Sequence, residues 1–297
     1  MRILLAGASG FLGTALRERL KADGHDLRQL VRRTPENGDQ IPWTPSSGHL
    51  DPAALRGVDA VINLAGASIG GQRWTAAYKR KLRSSRVDST GTLARAIAAL
   101  PADERPKVLL NGSAKGWYGD TGDTPVEEDA PPADDFLADL CRVWEAATGP
   151  AEQAGVRVVH LRSGLPLDKR GGLLQPLVLL FKAGLGGRIG SGKQYIPWIS
   201  LADWVNATVF LLERDDISGP VNMVGPAPAT NAEFTRELAA AVHRPAIIPV
   251  PGFAIQVALG EFSTEILTGT RALPGVLNRS GYVFAHPTLA AALKAAL

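Results

Sequence analysis

The sequence predicts an α/β fold: a doubly wound parallel sheet with helices on both faces and a smaller C-terminal lobe. Three observations predict it. Residues 3–6 form a short apolar run that leads into a glycine-rich loop, a segment of helical spacing and a second apolar run, all within about thirty residues. Further apolar runs of strand length recur at 58–64, 107–112, 156–161 and 221–225, separated by stretches long enough for crossover helices. The chain has 297 residues, 45% hydrophobic and 21% charged. That length and composition suit one large or two small globular domains and exclude disorder, collagen and coiled coil.

The opening unit is the most informative. Gly7-Ala8-Ser9-Gly10-Phe11-Leu12-Gly13 follows the first strand, residues 14–20 have helical spacing, Gly24-His25 ends the helix, and residues 27–31 read as the next strand. Gly7 permits a tight turn, Gly10 lets backbone approach a pyrophosphate, and Gly13 allows close helix packing. Ser9, Phe11 and Leu12 complete the loop. The helix N-terminus then turns free N–H groups toward the phosphates. Together these features predict a Rossmann-type dinucleotide site. At the end of the second strand, an acidic residue would hold the ribose of NAD. Arg32-Arg33 stands there instead. A guanidinium can grip a 2′-phosphate bidentately, so the cofactor expected is NADP(H). The alternative is that both arginines are solvated surface charge.

Other classes are excluded or weak. Lys plus Arg is 32 and Asp plus Glu is 29, a net charge of +3. No run of five like charges occurs, so nucleic acid is not expected as a partner. The single cysteine, Cys141, cannot form an internal disulfide or a Cys-rich zinc site. No metal site is expected. No signal peptide and no apolar stretch of about 18 residues is visible, so no membrane partner is expected and the chain reads as cytoplasmic. There is no internal repeat.

The Gly7/Gly10/Gly13 spacing resembles the short-chain dehydrogenase/reductase superfamily, in its extended, epimerase-type branch. Further stretches resemble one atypical group of that branch: Trp74-Thr75 with Ser85-Arg86, Ser113-Ala114-x-Gly116-x-Tyr118-Gly119-Asp120, and Phe136-Leu137-Ala138-x-x-Cys141-x-x-Trp144-Glu145. Arg162-Ser163-Gly164, Gly190-Ser191-Gly192-x-Gln194 and Thr230-Asn231-Ala232-Glu233-Phe234 continue the pattern. Members are described as nucleoside-diphosphate-sugar epimerases and bind NADP(H). The resemblance covers nearly the whole chain and is specific for family, weak for reaction.

The resemblance implies roles for particular residues. Leu64, Ala65 and Gly66, at a strand end like the superfamily's Asn-Ala-Ala-Gly, contact the cofactor. Leu165 and Pro166 lie beside the nicotinamide. Ser113 takes the place of the serine that binds the substrate oxygen, although a turn-capping serine would look the same. Arg86, in a basic helix just past the strand ending at Gly66, is a candidate second phosphate or ribose contact.

One departure matters. The superfamily's Tyr-x-x-x-Lys needs both residues on one helical face. Aligned on Glu145, the Tyr position is Leu137 and the Lys position is Cys141. Tyr118 is then the natural stand-in for a proton relay. Asp120 and Asp123 lie just beyond it, and Glu127-Glu128-Asp129 reads as a solvated acidic turn. Cys141 reads as a small buried apolar residue.

The domain reading is an NADP-binding domain over 1–165 with a return segment at about 198–225, and a smaller substrate lobe from 166–197 and 226–297. Within the second part, the glycine-rich stretch 184–192 reads as a mobile loop over the substrate cleft, with Gln194, Tyr195 and Trp198 facing it. Ser200 replaces the branch's His, and Asp203 caps or braces the helix that follows. Thr230 and Glu233 form a capping box. Residues 281–284 read as a strand, followed by an Ala-rich terminal helix. The expected function is an NADP-dependent oxidoreductase or epimerase on a small molecule, by resemblance a nucleotide sugar, in a monomer or homodimer. The alternative is an NADP(H)-binding sensor with little catalysis.

Overall fold

Strand periodicity and loop chemistry build the sheet in order. A computed structural model describes residues 1–297. Strand β1 (Arg2–Ala6) runs into the glycine loop, helix α1 (Phe11–Ala22) and strand β2 (Asp26–Val31); a short edge strand β3 (Gln40–Pro42) follows. Strand β4 (Ala60–Asn63) precedes the long helix α2 (Ala76–Ala98), whose N-terminus is capped by the Thr75 hydroxyl accepting the Tyr78 N–H. Strand β5 (Val108–Ala114), a two-residue strand β6 (Pro125–Val126), helix α3 (Phe136–Ala146) and helix α4 (Gly149–Gln153) come next. Then come β7 (Arg157–Ser163), β8 (Leu165–Leu167), α5 (Leu174–Lys182), β9 (Tyr195–Ile196), β10 (Trp198–Ser200), α6 (Leu201–Glu213) and β11 (Gly219–Met223). The rest is β12 (Ala229–Thr230), α7 (Asn231–Ala241), α8 (Gly252–Leu259), α9 (Thr264–Leu267), β13 (Arg271–Ala272), α10 (Gly275–Arg279) and α11 (Leu289–Ala296).

The main sheet has seven parallel strands in the order β11-β7-β5-β4-β1-β2-β3. Both faces are covered, as parallel sheets require. Alternation along β1 shows how: Ile3 and Leu5 join the core formed with Leu16 and Leu20 of α1 and Trp204 and Leu211 of α6. Leu4 and Ala6 join the opposite core, with Leu93 and Ile97 of α2 and Ala151 of α4. A third core, around Leu167, Phe181, Trp198, Phe234 and Leu293, belongs to the second half of the chain. Residues 275–284 pack elsewhere, with Leu277 in the main-sheet core and Val276, Tyr282 and Phe284 against it.

Three expectations are corrected or refined. Residues 281–284 form no strand: Gly281 takes φ +79 and turns the chain, and Tyr282 stacks edge-on against Phe284 and Phe210. The cap of α6 is Ser200, whose hydroxyl accepts the Asp203 N–H. Asp203 braces that cap, as expected, and also the C-terminal segment. Its buried carboxylate accepts the N–H groups of Ala285 (2.7 Å) and His286 (2.9 Å) and the Ser200 hydroxyl (2.7 Å). The stretch 184–192 is pinned rather than free, with Ile189 bridged to Val250 and Gly187 packed on the Ile248 carbonyl.

Candidate active site

The glycine loop is built by contacts that only hydrogen allows. A Cβ on Gly7, which has φ +81, would lie 2.6 Å from the Leu64 carbonyl carbon; one on Gly13 would lie 2.1 Å from the Gly7 oxygen. The loop is thereby wedged between the start of α1 and the end of β4. Ser9 and Gly10 are exposed, and Phe11 and Leu12 are half-buried. Helix α1 has no side-chain cap and no acidic residue in its first turn, so its leading N–H groups are free for an anion. A cleft of about 400 Å³ lies against Ser9, Gly10, Phe11 and Thr14. Separately, Gly172 lies against both the Phe11 ring and the Pro166 carbonyl, so β8 and the glycine loop are neighbours.

The two arginines after β2 separate. Arg33 pairs with Glu36, three residues on. Arg32 is exposed and makes no ion pair or hydrogen bond within the chain, which leaves its fork free. On the other side of the loop, Leu64 and Ala65 are half-buried and Gly66 is exposed. The buried Asn63 holds this strand end: its carbonyl accepts the Ala65 N–H, and its amide reaches Thr90 and Asn111. Arg86 packs over Gly66 and lies over the Trp144 ring, 5.0 Å from its centroid. Its one hydrogen bond goes to the Leu82 carbonyl, and burial pushes its pKa down.

At the end of β5 the structure brings together residues that the sequence reading left separate. Ser113 donates to Glu145 at 2.5 Å. Arg162 of β7 donates to both oxygens of the same carboxylate, at 2.9 and 3.0 Å. Arg162 also donates to the Tyr118 hydroxyl (3.0 Å) and the Glu128 carbonyl (3.1 Å), and lies 3.8 Å from the Trp117 ring centroid. Tyr118 in turn donates to Asn222 of β11 at 2.7 Å. All five side chains are buried, with Arg162 only 3% exposed. The hydroxyl protons of Ser113 and Tyr118 are thus committed inward. Burial holds the Tyr118 phenol above its ordinary value, against the pull of Arg162. Tyr118 is therefore a neutral phenol within a network, unlike a phenol activated by a free lysine. Nothing in the local sequence marks Arg162, Asn222 or Glu145 as site residues. The signal available is for pairing alone: an arginine and a glutamate inside otherwise apolar segments, where charges must be paired.

Leu137 and Cys141, in the positions of the missing Tyr and Lys, are both buried on α3. The Cys141 sulfur lies 3.6 Å from the Ala114 carbonyl, and burial pushes the thiol up to about 12. The thiol therefore stays protonated at neutral pH and is a poor nucleophile. Iodoacetamide at pH 8 is expected to leave Cys141 unmodified in the folded protein and to alkylate it fully in guanidinium, read by intact mass. Rapid native alkylation would show that α3 opens.

Glu127-Glu128-Asp129 is not simply a solvated turn. Glu128 is buried and accepts the backbone N–H groups of Asn222 and Val276. The C-terminal segment closes this side of the site. β13 pairs with β6, Lys115 meets Glu265 at 2.9 Å, and Phe262 packs with Trp74.

A family model described as "NAD dependent epimerase/dehydratase family" matches residues 3–225. The chain belongs to this family. The model's span holds the glycine loop, Arg32, Arg86 and the Ser113 network. A second model, described as a domain of unknown function (DUF1731), matches residues 250–296. Among family members, the chain is 46% identical over 292 residues to an epimerase family protein of Mycobacterium bovis, Mb2239, covering 98% of this chain and 96% of that protein. The crystal structure of human epimerase family protein SDR39U1 with NADPH matches with a TM-score of 0.91 and 34% identity, covering 100% of this chain and 99% of that one. A nucleoside-diphosphate sugar epimerase from Corynebacterium glutamicum matches with a TM-score of 0.83 and 32% identity; this chain is covered fully and spans 58% of that one. No helix is long and apolar enough to cross a membrane.

Proposed function

We propose that the chain is an NADP(H)-dependent oxidoreductase or epimerase of the extended short-chain type, acting on a small nucleotide-sugar-like molecule. The observation that carries it is the wedged glycine loop with a free guanidinium, Arg32, at the end of the neighbouring strand. The donor set fits a dinucleotide phosphate: uncapped N–H groups at α1, Gly10 without a side chain, and Arg32 without an internal partner. In this reading Gly7, Ser9, Gly10, Phe11, Leu12 and Gly13 hold the pyrophosphate. Arg32 holds the 2′-phosphate, with Arg33 held back by Glu36. Leu64, Ala65 and Gly66 line the middle of the cofactor, and Arg86, Leu165 and Pro166 its far half. When bound, the nicotinamide supplies the hydride acceptor or donor. Ser113, its proton given to Glu145, offers lone pairs to a substrate hydroxyl. Tyr118 holds Arg162 and Asn222 in place, and water carries the proton. The human relative crystallised with NADPH supports the cofactor; the Corynebacterium neighbour's description supports the substrate class.

The second reading, a binding protein with little catalysis, is favoured by one observation: both candidate hydroxyl protons are spent on internal acceptors. Unchanged turnover in Ser113→Ala would remove the catalytic role of Ser113.

The first test is a paired titration of the purified protein with NADPH and NADH, followed by energy transfer from tryptophan. NADPH is expected to bind in preference, and Arg32→Asp to weaken it about ten- to a hundredfold. That range follows from about 1.5–3 kcal/mol for a charge-assisted contact. Binding of neither nucleotide would overturn the cofactor reading.

A further inference from the structure

The sheet order assigns the two halves of the cofactor site. Chain order reverses between β1 and β4, and a dinucleotide lies across such a switch point with one nucleoside on each side. Arg32 ends β2, on the adenosine side. The nicotinamide side is then the end of β4 and β5, where Arg86 sits. Its guanidinium carbon lies 3.4 Å from where a Cβ on Gly66 would stand. It also covers Trp144, whose ring fills the space left by Gly112 of β5.

Three features make this cation unusual. It forms no ion pair, and the ionisable groups close enough to act on it are the Cys141 thiol and the Tyr78 phenol, with no carboxylate among them. A guanidinium has five N–H donors, and only one contact, to the Leu82 carbonyl, is used internally. The carboxylate of Glu145, on the same helix as Cys141, is consumed by Arg162 and Ser113. Partly buried charges without counter-charges act strongly on their surroundings, because the medium screens them less than water does.

We propose that Arg86 is a specificity-determining residue that makes the site prefer the reduced cofactor, NADPH, over the oxidised one. The nicotinamide ring is positively charged in NADP⁺ and neutral in NADPH. An uncompensated guanidinium at that end disfavours the first relative to the second. Leu137 adds no phenolate that could offset it. The two cofactors are otherwise alike at the glycine loop and Arg32, so their affinity ratio isolates this effect. The inference rests on the cofactor reading above.

The test measures dissociation constants of NADPH and NADP⁺ for the full-length wild type, Arg86→Met, Arg86→Lys and Arg32→Asp, by calorimetry at one ionic strength. The wild type is expected to bind NADPH about tenfold or more tighter than NADP⁺. Arg86→Met should bring the ratio close to one, chiefly by tightening NADP⁺. Arg86→Lys, which keeps the charge, should keep the preference. Arg32→Asp should weaken both cofactors alike and leave the ratio unchanged. A wild type that binds both equally, or a ratio unaltered in Arg86→Met, would overturn the proposal while leaving the cofactor reading intact. Binding of neither cofactor to the wild type would overturn both.

Discussion

Replacing Glu145 by alanine is expected to destabilise the protein by about 3–5 kcal/mol, the cost of leaving a buried charge without its partner. Arg162 is 3% exposed and Glu145 9%. Without Glu145, the guanidinium keeps only the Tyr118 hydroxyl, the Glu128 carbonyl and the faces of Trp117 and Tyr118. Ser113 loses its acceptor as well. The pair is weak as a source of net stability, because desolvation offsets much of its attraction; the penalty lies in breaking it. Glu145→Gln keeps an acceptor for one donor and should lose less. Urea unfolding followed by tryptophan fluorescence reads both, from midpoints at unchanged slope. A loss under about 1 kcal/mol for the alanine variant would show that Arg162 finds solvent or another partner.

Gly13→Ala is expected to weaken NADPH binding by more than about tenfold and to destabilise the fold by about 1–3 kcal/mol, the usual range for overpacking. The added Cβ would stand 2.1 Å from the Gly7 oxygen, 2.9 Å from the Gly7 carbonyl carbon and 3.0 Å from the Ala8 Cα. All three are backbone atoms, so the loop itself must move, and with it the N–H groups that would face the phosphates. Gly10→Ala is the informative partner. Its Cβ would meet nothing closer than the Gly7 oxygen at 3.4 Å. Stability should change by less than about 0.5 kcal/mol, yet NADPH binding should still fall, because in the proposed binding mode the methyl stands in the path of the phosphate. Thermal melts and NADPH titrations of the two variants separate packing from ligand access. Normal NADPH affinity in Gly13→Ala would show that the loop does not form the site.

The sheet and its glycine loop were legible because they depend on local rules. Alternation in Ile3, Leu4, Leu5 and Ala6 sorts side chains to two faces, and the spacing of Gly7, Gly10 and Gly13 needs only the turn and helix that follow. The capping box of Thr230 and Glu233 was legible for the same reason, since its partners are three residues apart. Residues 281–284 misled because an apolar, aromatic stretch serves equally well as a strand or as an aromatic plug. The main-sheet core behind Tyr282 decided between them.

Sequence alone therefore determined the α/β class, the position of the glycine loop and the absence of the Tyr-x-x-x-Lys pair. Tertiary structure decided which charges are free. Arg32 and Arg33 are adjacent and chemically identical, yet Glu36 occupies only the second. Ser113, Glu145 and Arg162 meet because β5 and β7 are neighbours in the sheet while α3 crosses between them. Tyr118 reaches Asn222, 104 residues on, for a similar reason. Periodicity reports which face of an element is apolar. It carries no record of which buried polar group another element will bring to meet it, and here that pairing, formed only when the strands assemble, separates the charges used for structure from those left unpaired.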